Sequence, residues 1–184
     1  MKIYYDTEFV EDGKTIDLVS IGMVAEDGRE LYAVSSEFSI SGLLGNPWLA
    51  ENVWPSLPLK KHDPGVPCQC SRRKNGHLDF DHPDVRPRAQ IIRMVEAFIL
   101  ATPDVELWAW YSAYDHVALA QLWGRMIDLP KGVPMWTNDL KQECMRLGNP
   151  TMPKQGEGEH HALADARHVK VMAEFLARET HHTA

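Results

Sequence analysis

Cysteine is scarce in this chain: Cys68, Cys70 and Cys144 are the only three in 184 residues. An odd number, with no export-like leader ahead of it, argues against a disulfide framework and fits a reducing compartment. Long hydrophobic runs are also missing. The most apolar helical stretch, MVEAFILA, is interrupted by Glu96, and the N-terminus opens on a charged, strand-like segment instead of a basic and apolar leader. A cytoplasmic protein with no membrane span is expected. Positive charge is in deficit, with 19 Lys and Arg against 26 Asp and Glu and a formal charge of -7. That excludes a protein that coats nucleic acid through a broad basic face, but not one that holds a few nucleotides at a strand end with metal-neutralised acids. No repeat or low-complexity tract is visible, and 44% hydrophobic with 24% charged residues is an ordinary composition. Residues 1–184 are expected to form one domain, with a loop-rich segment at about 40–87.

The elements that are present follow from periodicity. Residues 2–8, 16–25 (IDLVSIGMVA) and 30–35 (ELYAVS) read as strands, and Asp27-Gly28 suits the tight turn between the last two. Asn46-Pro47 is a cap-and-start signal for a short helix, while residues 60–86 read mostly as loop. After Pro87, the apolar residues Ile91, Ile92, Val95, Phe98 and Ile99 recur at helical spacing up to about Pro103. The run VELWAWY (105–111) is an interior strand, and AYDHVALAQLWGRM is the helix after it. A short strand around Met135 and Trp136, a helix capped near Thr137 or Asn138, and a last helix from His160 onward complete the order. The expected fold class is α/β, a ribonuclease H-like mixed sheet with three antiparallel strands first, flanked by helices.

Asp6 and Glu8 are separated by one residue, so on a strand both carboxylates point to one face. Such a pair does not belong in a core, and with Asp115 and Asp165 it could hold hard divalent cations. Two ions about 3.5–4 Å apart would activate a water and stabilise a departing oxygen in phosphodiester cleavage. His160, five residues before Asp165, could serve there as general base, since imidazole titrates near neutral pH. Each residue also has a plain alternative: a solvated strand pair for Asp6 and Glu8, a helix cap for Asp115, exposed loop or helix positions for His160 and Asp165. Their order, each on the element the chemistry requires, favours the joint site.

These motifs, DTE, then YD opening a helix after an apolar strand, then H-x-A-x-x-D, resemble the DEDD exonucleases of the histidine subtype. The DTEFVEDG start, ELWAW, AYDHVAL and HALADAR are similar to the adenylate-specific 3′-exoribonuclease (ribonuclease AS) family. The resemblance implies a 3′-5′ exoribonuclease that releases nucleoside 5′-monophosphates from single-stranded RNA with adenylate-rich ends. It further implies two Mg2+ or Mn2+ ions on Asp6, Glu8, Asp115 and Asp165, His160 as base, and a homodimer. A single-strand DNA exonuclease and a non-catalytic nucleic-acid-binding domain are the alternatives.

The H-x-A-x-x-D pattern selects His160 over its neighbour His161, which is left as solvent-facing or a substrate contact, and His116 is taken as structural. Phe9, Trp110 and Tyr114 flank the acid motifs and could stack on a base or pack the core. His62, Cys68, Cys70 and His77 raise a structural zinc site, but one residue between the cysteines is poor spacing for it. Arg72, Arg73 and Lys74 could guide a phosphate backbone or simply be solvated.

Overall fold

The structure is a computed structural model that describes residues 1–61 and 76–182, with side chains to residue 179. Its frame is a six-stranded mixed sheet. Strands β1 (Lys2–Glu11), β2 (Ile16–Ala25) and β3 (Glu30–Ser35) form a consecutive antiparallel ladder. β4 (Leu59–Lys60) and β5 (His77–Leu78) pair separately, and β6 (Val85–Arg86) adds to β3 in parallel. β7 (Glu106–Ala109) lies parallel to β1, and β8 (Asn138–Asp139) parallel to β7. The sheet order is β6-β3-β2-β1-β7-β8, the ribonuclease H-like arrangement expected. Asp27-Gly28 makes the β2–β3 turn, where Gly28 takes a φ of +89° that a side chain would resist.

Helices are α1 (Ile40–Gly45), α2 (Pro47–Asn52), α3 (Arg88–Leu100), α4 (Ala113–Ala120), α5 (Leu140–Arg146) and α6 (Ala162–His182). Period-two alternation divides β1 between two layers. Ile3 and Tyr5 enter the main core with Ile91, Val95 and Ile99 of α3 and Leu119 of α4. Tyr4 packs the other way, on Leu140 and Cys144 of α5 and Val169, Met172 and Leu176 of α6. Asp6 and Glu8 share the Tyr4 parity and so come under the start of α6. A third cluster joins Val19 and Val34 to Leu43, Leu49, Val53 and Trp54. It holds α1, α2 and the 3-10 turn Trp54–Ser56 over the sheet. No helix among the described residues is long and apolar enough to cross a membrane.

Several boundaries differ from expectation. The helix at Asn46-Pro47 is present, with the Asn46 side chain accepting from the Trp48 and Leu49 amides, but α1 beside it was not anticipated. Met135 and Trp136 form no strand and are exposed, because the edge pairing falls on Asn138–Asp139. The cap of α5 is Asp139, not Thr137 or Asn138, since its carboxylate accepts from Lys141 N. The interior strand is shorter than 105–111, and α6 begins at Ala162 because His160 has a left-handed φ of +64° that a helix cannot use. Cys68, Cys70, His62, Arg72, Arg73 and Lys74 lie outside the described residues.

One close approach sets the site's geometry. Gly22, opposite Asp6 in the β1–β2 ladder, would place a Cβ 2.3 Å from the backbone of Ala162 and Leu163. Only glycine lets the first turn of α6 rest directly on β2. Gly22→Ala is therefore expected to lose about 1–3 kcal/mol of stability through overpacking, read as a lower urea midpoint. An unchanged midpoint would show that α6 can lift by a methyl without loss.

Candidate active site

Three separate chain segments bring carboxylates to one cleft of about 330 Å3. β1 supplies Asp6 and Glu8, which stand two residues apart just before a bulge where Phe9 pairs with Leu18 and Val19 is the extra residue. The β7–α4 junction supplies Asp115. There the chain turns through Tyr111 at a φ of +57°, and Asp115 falls in the first turn of α4. It does not cap that helix. Its Oδ1 instead accepts from the Thr7 amide at 2.9 Å and the Thr7 hydroxyl at 2.6 Å, which ties α4 to β1. The third segment is the start of α6, with His160 just before it and Asp165 in its first turn. Gln155 donates from its carboxamide to Asp165 Oδ1.

All eight residues singled out from the sequence line this cleft: Asp6, Glu8, Phe9, Trp110, Tyr114, Asp115, His160 and Asp165. Phe9 and Tyr114 stack on each other with centroids 5.8 Å apart and planes 10° off parallel. Tyr114 is exposed, so the pair offers a flat aromatic step beside the acids. Trp110 serves both possibilities, packing on the α5–α6 cluster while lining the cleft, with Lys141 Nζ 5.6 Å over its ring. A second hollow of about 360 Å3 shares Asp6, Trp110, His160 and Asp165 and runs along α6 to His168 and Met172. A larger apolar hollow of about 550 Å3, walled by Leu100, Val133 and Trp136, includes none of these acids.

The neighbouring histidines separate cleanly. His161 is not solvent-facing, as the sequence suggested: it stacks on Tyr32 at 4.3 Å, and burial lowers its pKa. His116 bonds through Nδ1 to Thr137 Oγ1 at 3.0 Å, in keeping with a structural position. Thr137 also meets the Tyr5 hydroxyl at 2.6 Å. Sequence inspection missed Thr7, Trp48, Ser56, Tyr111 and Gln155. Trp48 carried a faint signal as a large aromatic directly after a helix-start pair; the others had none, because their partners are distant in sequence.

Crowding the acids changes their protonation. Burial, followed by repulsion from Asp165 and Asp115, pushes Glu8 up to about 8. Burial also raises Asp6 well above the carboxylate range, with Asp115, Glu8 and Asp165 adding to it. Asp115 is raised to about 6 by burial, with its Thr7 hydrogen bonds opposing the shift. Burial raises Asp165 as well, against Gln155 and His160. Oxygen-rich donors that repel one another suit a hard divalent cation. Glu8, His160 and Asp165 each offer a ligand atom within 4.8 Å of the other two.

A family model described as the 3′-5′ exoribonuclease Rv2179c-like domain matches residues 71–177. Two curated relatives, each 44% identical over 167 residues, are the 3′-5′ exoribonuclease Rv2179c of Mycobacterium tuberculosis strain ATCC 25618 / H37Rv and the 3′-5′ exoribonuclease MT2234.1 of strain CDC 1551 / Oshkosh. The alignments cover 91% of this chain and 88% of each relative. Among solved structures, S. pombe Pop2p in its Mg2+- and Mn2+-bound form is 12% identical with a TM-score of 0.47, covering 96% of this chain and 83% of that one.

The raised carboxylates give a pH dependence of unusual sign. Between 4.5 and about 8, Glu8 keeps a proton in the folded state that the unfolded chain releases. The metal-free fold therefore binds more protons than the unfolded state, and its stability falls as pH rises through that window. Asp6→Asn removes a buried carboxyl whose ionisation burial and its acidic neighbours oppose, and is expected to raise the metal-free urea midpoint at pH 8. Added Mg2+ is expected to stabilise the wild type more at pH 8 than at pH 5.5. A metal-free midpoint that climbs from pH 6 to 8 would contradict this account.

Proposed function

We infer the activity from one premise: the chain belongs to the family of Rv2179c-like 3′-5′ exoribonuclease domains. It hydrolyses single-stranded RNA from the 3′ end to nucleoside 5′-monophosphates. The observation that carries this reading is the meeting of four carboxylates and a histidine in one cleft beside an aromatic step.

Asp6, Glu8, Asp115 and Asp165 would hold two divalent ions, Mg2+ or Mn2+. When bound, such ions polarise the phosphodiester, acidify an attacking water and stabilise the leaving 3′-oxygen. The protein's own groups do the rest. His160 accepts the proton of the water that attacks phosphorus. The new P–O bond forms as the bond to the 3′-oxygen of the penultimate nucleotide breaks, leaving a 3′-hydroxyl on the shortened RNA. Thr7 fixes Asp115 and Gln155 fixes Asp165, so neither carboxylate has to reorganise. The Phe9–Tyr114 step stacks on the terminal base, a contact worth about 1–3 kcal/mol that needs no particular base edge.

Preference for RNA requires a donor or acceptor at the 2′-hydroxyl. Preference for adenylate ends and homodimer assembly are supported by the motif resemblance, a cytoplasmic setting by the scarce, odd-numbered cysteines, and the formal charge of -7 fits an enzyme that grips only an end.

Digestion of 5′-labelled homopolymer RNAs with Mg2+ tests the whole reading. The expected pattern is a ladder shortening from the 3′ end, fastest on poly(A), with mononucleotide product and slower cutting of matched DNA. His160→Ala is expected to lower kcat by about 100- to 10,000-fold, and Asp115→Ala or Asp165→Ala to abolish metal-dependent turnover. Full activity in both aspartate variants, or products released from the 5′ end, would overturn it.

A further inference from the structure

His160 has a conformation that its own sequence neighbourhood does not favour. Its φ of +64° is a left-handed value, costly for a residue with a β-carbon. Such a conformation persists only when the surroundings hold it. The surroundings here are the small unit formed by α2 and the 3-10 turn, about 104 residues earlier in the chain.

Two side chains from that unit reach His160. The Ser56 hydroxyl lies 2.5 Å from the His160 carbonyl oxygen and 2.8 Å from that of Val53. A hydroxyl has a single proton to give, and the shorter separation assigns it to His160. On the other side, the indole of Trp48 meets the imidazole edge to face, with centroids 4.8 Å apart at 76°. Ser56 belongs to a unit anchored by buried Val53, Trp54 and Leu57, so its hydroxyl is a fixed point. Trp48 is about half exposed and lines the cleft, so burial in the core does not explain its place.

We propose that Ser56 is a positioning residue for His160. Its hydroxyl locks the left-handed backbone that aims the imidazole into the cleft, and Trp48 blocks the ring from swinging away. This rests on His160 being the general base. Ser56 does not touch RNA in this scheme: its effect passes wholly through His160, so turnover depends on it and substrate binding does not.

The test is a set of purified variants under steady-state conditions with Mg2+ and a short oligoadenylate. Ser56→Ala is expected to lower kcat roughly tenfold, the size of one lost hydrogen bond together with a misaligned base. KM should stay within about twofold and the thermal midpoint close to wild type. Ser56→Thr, which keeps the hydroxyl, should restore most of kcat. Ser56→Cys, a weak donor of similar size, should follow the alanine variant. Introduced into His160→Ala, Ser56→Ala should cost no further residual activity.

Equal losses from Ser56→Ala with and without His160 would overturn the proposal, as would an unchanged kcat in Ser56→Ala or failure of threonine to rescue. The base assignment fails separately: it falls if His160→Ala is as active as wild type. Loss of activity in His160→Ala beside full activity in Ser56→Ala rejects only the positioning role.

Discussion

Mutual repulsion among Asp6, Glu8, Asp115 and Asp165 in a partly desolvated cleft is the constraint that the rest of the molecule is arranged around. Folding brings these groups together from β1, the β7–α4 junction and α6, and burial above all holds each of them above the ordinary carboxylate range, with repulsion from neighbouring acids adding to it at Asp6 and Glu8. A chain selected only for stability would disperse them or replace some with apolar residues. The acids instead sit on rigid elements, over a core that includes fully buried Ile3, Tyr5, Ile21, Met23 and Leu107. That core carries an unfavourable cluster built on an interior strand of the sheet. On the proposed function, a bound divalent cation would relieve that repulsion and turn the cost of the site into affinity.

The restraints on the cluster are local and of different kinds. Gly22 removes a side chain so that the first turn of α6 can lie on β2 next to Asp6. Thr7, between the two acids of β1, turns its amide and hydroxyl to Asp115 and joins acidic segments distant in sequence into one unit. The register shift after Glu8 places its extra residue, Val19, on β2. Alternation along β1 therefore continues and gives Phe9 the parity of Thr7, on the α4 side, where it meets Tyr114 beside the cleft.

How much of this was legible in the sequence depended on whether the signal was local. The three antiparallel strands, α3 and the Asn46-Pro47 helix start were readable because alternation, helical periodicity and capping act over a few residues. The acids and His160 could be singled out as candidates because spacing on one element is itself local, as in Asp6-x-Glu8, and they do line one cleft. Gly22 gave no warning, since its requirement comes from a helix about 140 residues away. Ser56 and Gln155 look like ordinary polar loop residues until folding brings them to His160 and Asp165. The short strand misplaced at Met135 and Trp136 shows the reverse error. An apolar pair was taken for a strand, whereas the sheet extends through Asn138 and Asp139, where the backbone pairs with Trp108 and Ala109.

The acidic balance of the chain then takes on a mechanical meaning. Five of the described arginines are tied to carboxylates away from the cleft: Arg29 to Asp27, Arg88 to Asp17, Arg125 to Asp128, Arg146 to Glu143 and Arg167 to Glu30. Each is committed to an ion pair within the fold. Around the acids stand rings instead, Phe9 and Tyr114 stacked as a step, with Trp48, Trp110 and Tyr111 in the same cleft. Stacking depends weakly on salt, whereas phosphate neutralisation depends on it steeply. On the proposed function, a cleft built this way would hold the last base of a strand and leave the upstream backbone loosely held. An enzyme that shortens RNA one nucleotide at a time needs that balance, because each cut must be followed by a one-residue advance that a tight grip on the phosphates would oppose.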